Sequence, residues 1–182
     1  MSQKNIAVVV GSIRKESFNR QFAEALVKQL PADMKATFVR INDLPLYDQD
    51  DDNNPAPQVT RLRDEIKAAD GVLFVTPEYN RSMPGVLKNA IDHASRPWGK
   101  SVWNGKPAAV CGVSVGAIGT ALAQQHLRNV IAYLNMPTLG APEMFIQWKE
   151  GLVENGAIGP ASKDFVQKFV DDFAAWVNKL SA

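Results

Sequence analysis

The sequence predicts an α/β fold, a doubly wound parallel sheet of five strands with helices on both faces. Three observations predict it. Short continuous apolar runs recur along the chain, as strands buried on both faces require. Stretches of helical periodicity separate them, so strand and helix alternate. A loop of unusual composition follows the first, third and fourth apolar runs.

Residues 6–10 (IAVVV) are the first apolar run and end against Gly11. Phe18, Phe22, Leu26 and Leu30 recur every four residues, one face of a helix that Pro31 ends. Residues 37–41 predict the second strand. The segment NDLPLYDQDDDNNPAP is a polar connection with three prolines, a surface excursion. Val59, Leu62, Ile66 and Ala69, at 3-4-3 spacing, mark the second helix, and residues 72–75 the third strand. TPEYNRSMPG is a loop, with Pro84 in the first turn of a helix running to about residue 95. Residues 108–113 are the fourth strand, SVGAIG the loop after it, 122–134 a helix and 143–146 the fifth strand. Phe165, Phe169, Phe173, Val177 and Leu180 give a closing amphipathic helix.

A chain of 182 residues suits one domain, 1–182, and the flavodoxin-like strand order 2-1-3-4-5. In open parallel sheets, ligands sit outside the carboxyl ends of strands near the switch point. Strands 1, 3 and 4 are neighbours in that order, so the three unusual loops converge on one rim and make one composite site.

Composition narrows the function. The apolar fraction of 46% and charged fraction of 21% are ordinary for a globular protein. A net charge of +1 gives no global field for nucleic acid or membrane. Cys111 is the one cysteine, so no internal disulfide forms, which fits a reducing compartment. No apolar run approaches the roughly 20 residues of a membrane span, and the N-terminal stretch does not read as a signal peptide. A cytoplasmic location is expected.

The first loop reads as a phosphate cradle. The start of the first helix offers free N–H groups and the positive end of its dipole. Gly11 permits a tight turn, Ser12 and Ser17 bring hydroxyls, Asn19 an amide, and Arg14 a guanidinium fork suited to phosphate oxygens. Lys15 and Arg20 add field from the periphery. The competing reading is a capped helix with solvated basic residues. Other phosphate motifs fail. Gly11 is the only glycine of the loop, so G-x-G-x-x-G is absent, and GKS at 99–101 has Ala94 where a P-loop requires glycine.

In the second loop, Pro77 and Pro84 stiffen a segment that can present backbone groups to the edge of a flat heterocycle. Tyr79 would pack near that ring and Asn80 donate to it; a tight strand-to-helix connection is the alternative. The small residues of SVGAIG allow close approach of backbone to a ring, or simply make a turn.

GSIRKESFN together with TPEYNRSMPG resembles the NAD(P)H-dependent FMN reductases, in the branch that contains bacterial quinone and chromate reductases. LKNAID and the glycines of SVGAIG extend the similarity over most of the chain. The resemblance implies bound FMN, its phosphate held by Ser12, Arg14, Ser17 and Asn19. Pro77, Glu78, Tyr79 and Asn80 would line the isoalloxazine, and Ser114 and Gly116 would approach its other edge. It also implies NADPH or NADH as co-substrate, a small-molecule electron acceptor, ping-pong kinetics without nucleophile or metal, and a homodimer or homotetramer. Relatives often carry an aromatic residue at the position of Arg81. Here Arg81, with Arg96 and Lys100, is expected to favour anionic acceptors such as chromate, or the phosphates of NADPH; a solvated rim is the alternative. Trp98 and Trp103, on a segment with glycine and proline, suggest a subunit contact or pocket wall, or packing beneath the loop.

Two rival functions have sequence support. GVSVG, 112–116, matches the G-x-S-x-G of hydrolases, yet after Ser114 the only histidine is His126 and no acid lies between them. An electron-carrying flavodoxin would share the fold, but such carriers are strongly acidic and lack a basic residue like Arg14 in the phosphate loop. His93, His126 and Cys111 have no metal-ligand spacing, and the DQDDD run lacks the glycine and glutamate of an EF-hand.

Overall fold

The computed structural model describes residues 3–181. Its main sheet contains β1 (Lys4–Val10), β2 (Met34–Phe38), β3 (Gly71–Val75), β4 (Ala108–Ser114) and β5 (Met144–Gln147). The strand order is β2-β1-β3-β4-β5 and every pairing is parallel. The helices are α1 (Phe18–Leu26), α2 (Pro57–Lys67), α3 (Gly85–Ala94), α4 (Ala121–Tyr133) and α5 (Pro160–Leu180). A short hairpin, β6 (Val153–Glu154) with β7 (Ala157–Ile158), precedes α5.

The period of two along β1 sorts its side chains between two cores. Ile6, Val8 and Val10 face a cluster with Phe22 and Leu26 of α1 and Phe169, Phe173 and Val177 of α5. Ala7 and Val9 face the other, with Leu62 and Ile66 of α2, Leu87 and Ile91 of α3, and Leu127 and Ile131 of α4. Because both faces are covered, β1 past its first two residues and all of β3 and β4 short of its last residue are buried. Those are the runs the sequence displays most plainly.

Register fixes the rim. Val10 lies opposite Val75, and Val75 opposite Cys111. β1 and β3 therefore end level, while β4 continues three residues further to pair Ser114 with Gln147. Gly11, Thr76 and Ser114 lead off the same carboxyl edge.

Several elements differ from their predicted bounds. α1 ends at Leu26, and residues Val27–Gln29 tighten into a 3-10 turn before Pro31. β2 begins three residues before the predicted 37–41. It is an edge strand whose side chains alternate in exposure, so no continuous apolar run marks it; the buried Val39 and Ile41 follow it. α5 starts at Pro160, five residues before the first apolar marker, with proline at its first position. The hairpin was not predicted. Asn155 (φ 49°) and Gly156 (φ 71°) form its two-residue left-handed turn, the Asn-Gly signature of a type I′ turn.

The two tryptophans part company. Trp103 is fully buried, donates its Nε1–H to the Ile91 carbonyl at 2.9 Å and lies 5.7 Å from Phe74. Trp98 is 76% exposed. No helix among the described residues is long and apolar enough to cross a membrane, and none of their acidic, histidine or cysteine side chains group as a metal site.

Candidate active site

The first loop leaves β1 under tight constraint. Gly11 donates its N–H to the Val75 carbonyl at 2.9 Å. A Cβ there would come within 3.1 Å of Leu87 Cδ2 and 3.3 Å of Thr76 Oγ1, so a side chain has little room. Residues 13–16 are exposed and lead into α1. Ser17 is the N-cap, with extended backbone, and its Oγ accepts from the Arg20 N–H at 3.2 Å. Its own O–H hydrogen stays free to donate. The first-turn N–H groups of α1 have no partner inside the helix, as at every helix start.

Arg14 is exposed, with its guanidinium 5.1 Å above the Phe18 ring. Phe18 stacks in turn on Trp148, centroids 4.5 Å apart and planes 20° from parallel. Among the described residues no group hydrogen-bonds that guanidinium. Asn19 carries a structural tie that its sequence position does not announce. It is buried, its Nδ2 donates to the Val113 carbonyl and its Oδ1 accepts from the Val113 N–H, both at 2.9 Å. The carboxamide ties α1 to β4 and keeps one N–H hydrogen in hand.

The second loop is folded on itself and latched to α4. Thr76 donates its N–H to the Cys111 carbonyl and its hydroxyl to the Pro77 carbonyl. Tyr79 and Ser82 exchange backbone hydrogen bonds, N–H of Tyr79 to the carbonyl of Ser82 at 2.9 Å and the reverse at 3.0 Å. Between them Asn80 (φ 51°) and Arg81 (φ 66°) are both left-handed. The Glu78 carboxylate accepts from the N–H groups of Leu122 at 3.0 Å and Ala123 at 3.1 Å. Thr120, the N-cap of α4, makes no side-chain cap of its own, so a residue from another loop supplies the negative charge the helix start favours. Ser82 Oγ lies 3.0 Å from His126 Nδ1, one turn further along α4. Tyr79 is left 52% exposed.

The strand that leads into the third loop lies tight against the root of the second. An ideal Cβ on Gly112 would lie 2.1 Å from the Thr76 carbonyl oxygen, so β4 and the second loop touch backbone to backbone. Ser114 Oγ accepts from the Gly116 N–H at 3.2 Å. Gly116 is exposed, and the nearest atom to a Cβ there is Ser114 Oγ at 3.7 Å. Val115 and Ile118 are exposed beside it. The hydroxyl of Ser114 is thus engaged within its own loop while His126 is engaged with Ser82, which leaves no serine–histidine pair at the G-x-S-x-G match.

All three loops meet at the carboxyl edge. A cavity of ≈ 880 Å³ lies elsewhere, between α3, the segment around Trp98 and the end of α4, and shares no residue with these loops. Sequence reasoning missed the Glu78 cap, the Ser82–His126 pair and the Phe18–Trp148 stack. Their partners are distant in the chain, 44 residues for both Glu78 and Ser82, so no local pattern announces them.

A parallel sheet in this order, with a helix start, a free guanidinium and two further loops at its switch point, defines a flavodoxin-like, flavin-binding protein. The family model for NADPH-dependent FMN reductase matches residues 4–150, and the chain belongs to that family. It is an NAD(P)H-dependent oxidoreductase that works with FMN. The chain is 56% identical over 175 residues to a 2-hydroxy-1,4-benzoquinone reductase of Burkholderia sp, covering 94% of this chain and 95% of that one. It is 49% identical over 175 residues to a quinone reductase of Pseudomonas putida, covering 95% and 94%. Among solved structures it resembles FerB, a flavoenzyme NAD(P)H:(acceptor) oxidoreductase from Paracoccus denitrificans, with a TM-score of 0.94 and 42% identity over 97% of this chain and 98% of that one.

Proposed function

We propose that the chain is a quinone reductase that holds FMN on the carboxyl rim of its sheet and takes its electrons from NADH or NADPH. The observation that carries the reading is the meeting of three loops at that rim, with the unpaired Arg14 guanidinium at a helix start. The donor set fits a flavin mononucleotide. A monophosphate needs converging donors and positive charge; Ser12, Arg14, the free hydroxyl hydrogen of Ser17 and the first N–H groups of α1 offer them. Asn19 contributes its remaining N–H hydrogen and, through Val113, holds the helix start against the strand. Gly112, where a Cβ has no room, and Gly11, where it would be tight, keep the loop roots close enough to act together.

The backbone of Pro77, Glu78, Tyr79 and Asn80 would border one side of the flat ring, and Ser114 and Gly116 the other. Glu78 spends its carboxylate on α4, so its part at the ring is positional. When bound, FMN supplies two-electron transfer between the nicotinamide and the quinone. The chain's own residues would fix the phosphate, brace the loops and leave room for the two substrates to bind in turn, in a ping-pong sequence. The sum is NAD(P)H + H⁺ + quinone → NAD(P)⁺ + hydroquinone. Residues 1–182 act as one domain. The exposed aromatic surface at Trp98 and Tyr133 supports assembly as a homodimer or homotetramer. The single buried thiol suits a reducing compartment such as the cytoplasm.

Purified protein, supplied with FMN, is expected to absorb in the visible, to bleach when NAD(P)H is added without oxygen, and to regain colour with a quinone while hydroquinone appears. Refusal of FMN, or bleaching without any quinone reduction, would overturn the reading.

A further inference from the structure

Arg81 occupies the third position of the Tyr79–Ser82 turn with φ 66°, next to Asn80 at φ 51°. Two left-handed residues make this a type I′ turn, whose second central position is ordinarily glycine. An arginine there presses its Cβ toward the following carbonyl. Nothing in the packing demands it. The side chain is 67% exposed and its one described polar partner is Glu78, at 3.4 Å through a single nitrogen. Glycine would close the same two backbone hydrogen bonds without strain. A strained residue whose side chain reaches outward points to a task for that side chain.

The charge balance says what the task is. Glu78 is only 8% exposed, and its carboxylate already accepts from two N–H groups at the positive end of α4. It answers the helix more than it answers Arg81. The remaining guanidinium nitrogens therefore face solvent as uncompensated positive charge, on the loop that borders the proposed acceptor face.

Resting on the quinone reductase reading, we propose that Arg81 selects quinones bearing an ionised ring hydroxyl. A hydroxyl on the quinone ring is conjugated with the carbonyl across the double bond and behaves as a vinylogous carboxylic acid, an anion at neutral pH with its charge shared between two oxygens. A planar fork of donors suits that anion as it suits a carboxylate. Reduction removes the match. NAD(P)H + 2 H⁺ + hydroxyquinone anion → NAD(P)⁺ + neutral trihydroxyarene: the nicotinamide is oxidised, the ring takes up hydride and two protons, and the product is an ordinary phenol without charge. Arg81 thus holds substrate more tightly than product.

Two naphthoquinones separate charge from shape: 2-hydroxy-1,4-naphthoquinone ionises, and its 2-methoxy analogue does not. With the FMN-loaded protein, the ratio of kcat/KM for hydroxy over methoxy is expected to fall about tenfold in Arg81→Gly, the size of one lost charge-assisted hydrogen bond. Equilibrium dialysis of the hydroxy compound against oxidised protein should weaken by a similar factor. The melting temperature of the variant should rise by about 2 °C as the turn relaxes. A ratio unchanged within about twofold, or a fall in NADPH over NADH preference in its place, would overturn the proposal. So would a melting temperature several degrees lower, which would make Arg81 a structural residue. Failure to reduce either quinone would sink the parent reading and this one with it, whereas equal loss on both quinones sinks this one alone.

Discussion

Cys111 lies in the middle of β4 with no exposed surface, and burial pushes its thiol well above the usual range, with Arg128 pulling weakly the other way. The folded chain therefore keeps a proton that the unfolded chain releases near the ordinary thiol pKa of about 8.5. Stability from this group is complete below that pH and drains away as pH rises above it, by about 1.4 kcal/mol per unit. Urea titrations at pH 8 and pH 10 should show the wild type losing about 2 kcal/mol more than Cys111→Ala over that interval. An equal loss in both would remove the thiol from the account. At this scale the sequence is most informative where a residue meets solvent. Arg14 was legible as a solvent-facing cation because its charge stands on an exposed loop. Asn19 and Glu78 were legible as polar groups but not as ties, since their partners are backbone atoms 94 and 44 residues away. Residue type announces the need for a partner; only the fold chooses it.

Strands and helices were legible in proportion to how completely they are enclosed. β1, β3 and β4 stand out because both faces are covered. β2, on the edge, slipped by three residues, and the β6–β7 hairpin escaped altogether, two residues per strand being too few to show a period. Asn155–Gly156 carried its signal nonetheless. Glycines report where elements touch, and two in β4 and the loop after it allow a clean contrast. Gly112→Ala would drive a methyl group into the Thr76 carbonyl, 2.1 Å from the ideal Cβ. Backbone cannot swing aside as a side chain can, so this variant is expected to lose about 3 kcal/mol of stability, with FMN affinity falling alongside. Gly116→Ala has space, the nearest atom being 3.7 Å away, and should unfold within about 0.5 kcal/mol of the wild type. If ring and backbone approach there as proposed, its FMN dissociation constant should nevertheless rise. Urea melts paired with flavin titrations check both halves; loss of stability in Gly116→Ala would contradict the open surroundings of that residue.

On the scale of the whole molecule, alternation predicts the two-sided core and, with the chain length, the flavodoxin-like strand order, which together bring the three loops to one edge before any side chain is considered. A ligand that spans those loops binds only the folded chain and must stabilise it. At about 100 times its dissociation constant FMN should add roughly 2.7 kcal/mol, raising the melting temperature by about 5–10 °C. Riboflavin, which has the ring but no phosphate, should give a much smaller shift, and Arg14→Ala should bring the FMN shift down toward it. Equal shifts from both flavins would leave the first loop without its proposed role. The Tyr79–Ser82 turn closes through its own main chain, and neither Tyr79 nor Arg81 is part of either core. Its tip can trade side chains that tolerate a left-handed backbone while the roots beneath stay as they are. If that tip borders the acceptor as proposed, a lineage carrying this scaffold can try out fresh oxidants by single codon changes there, at a cost to folding no larger than the strain of one turn.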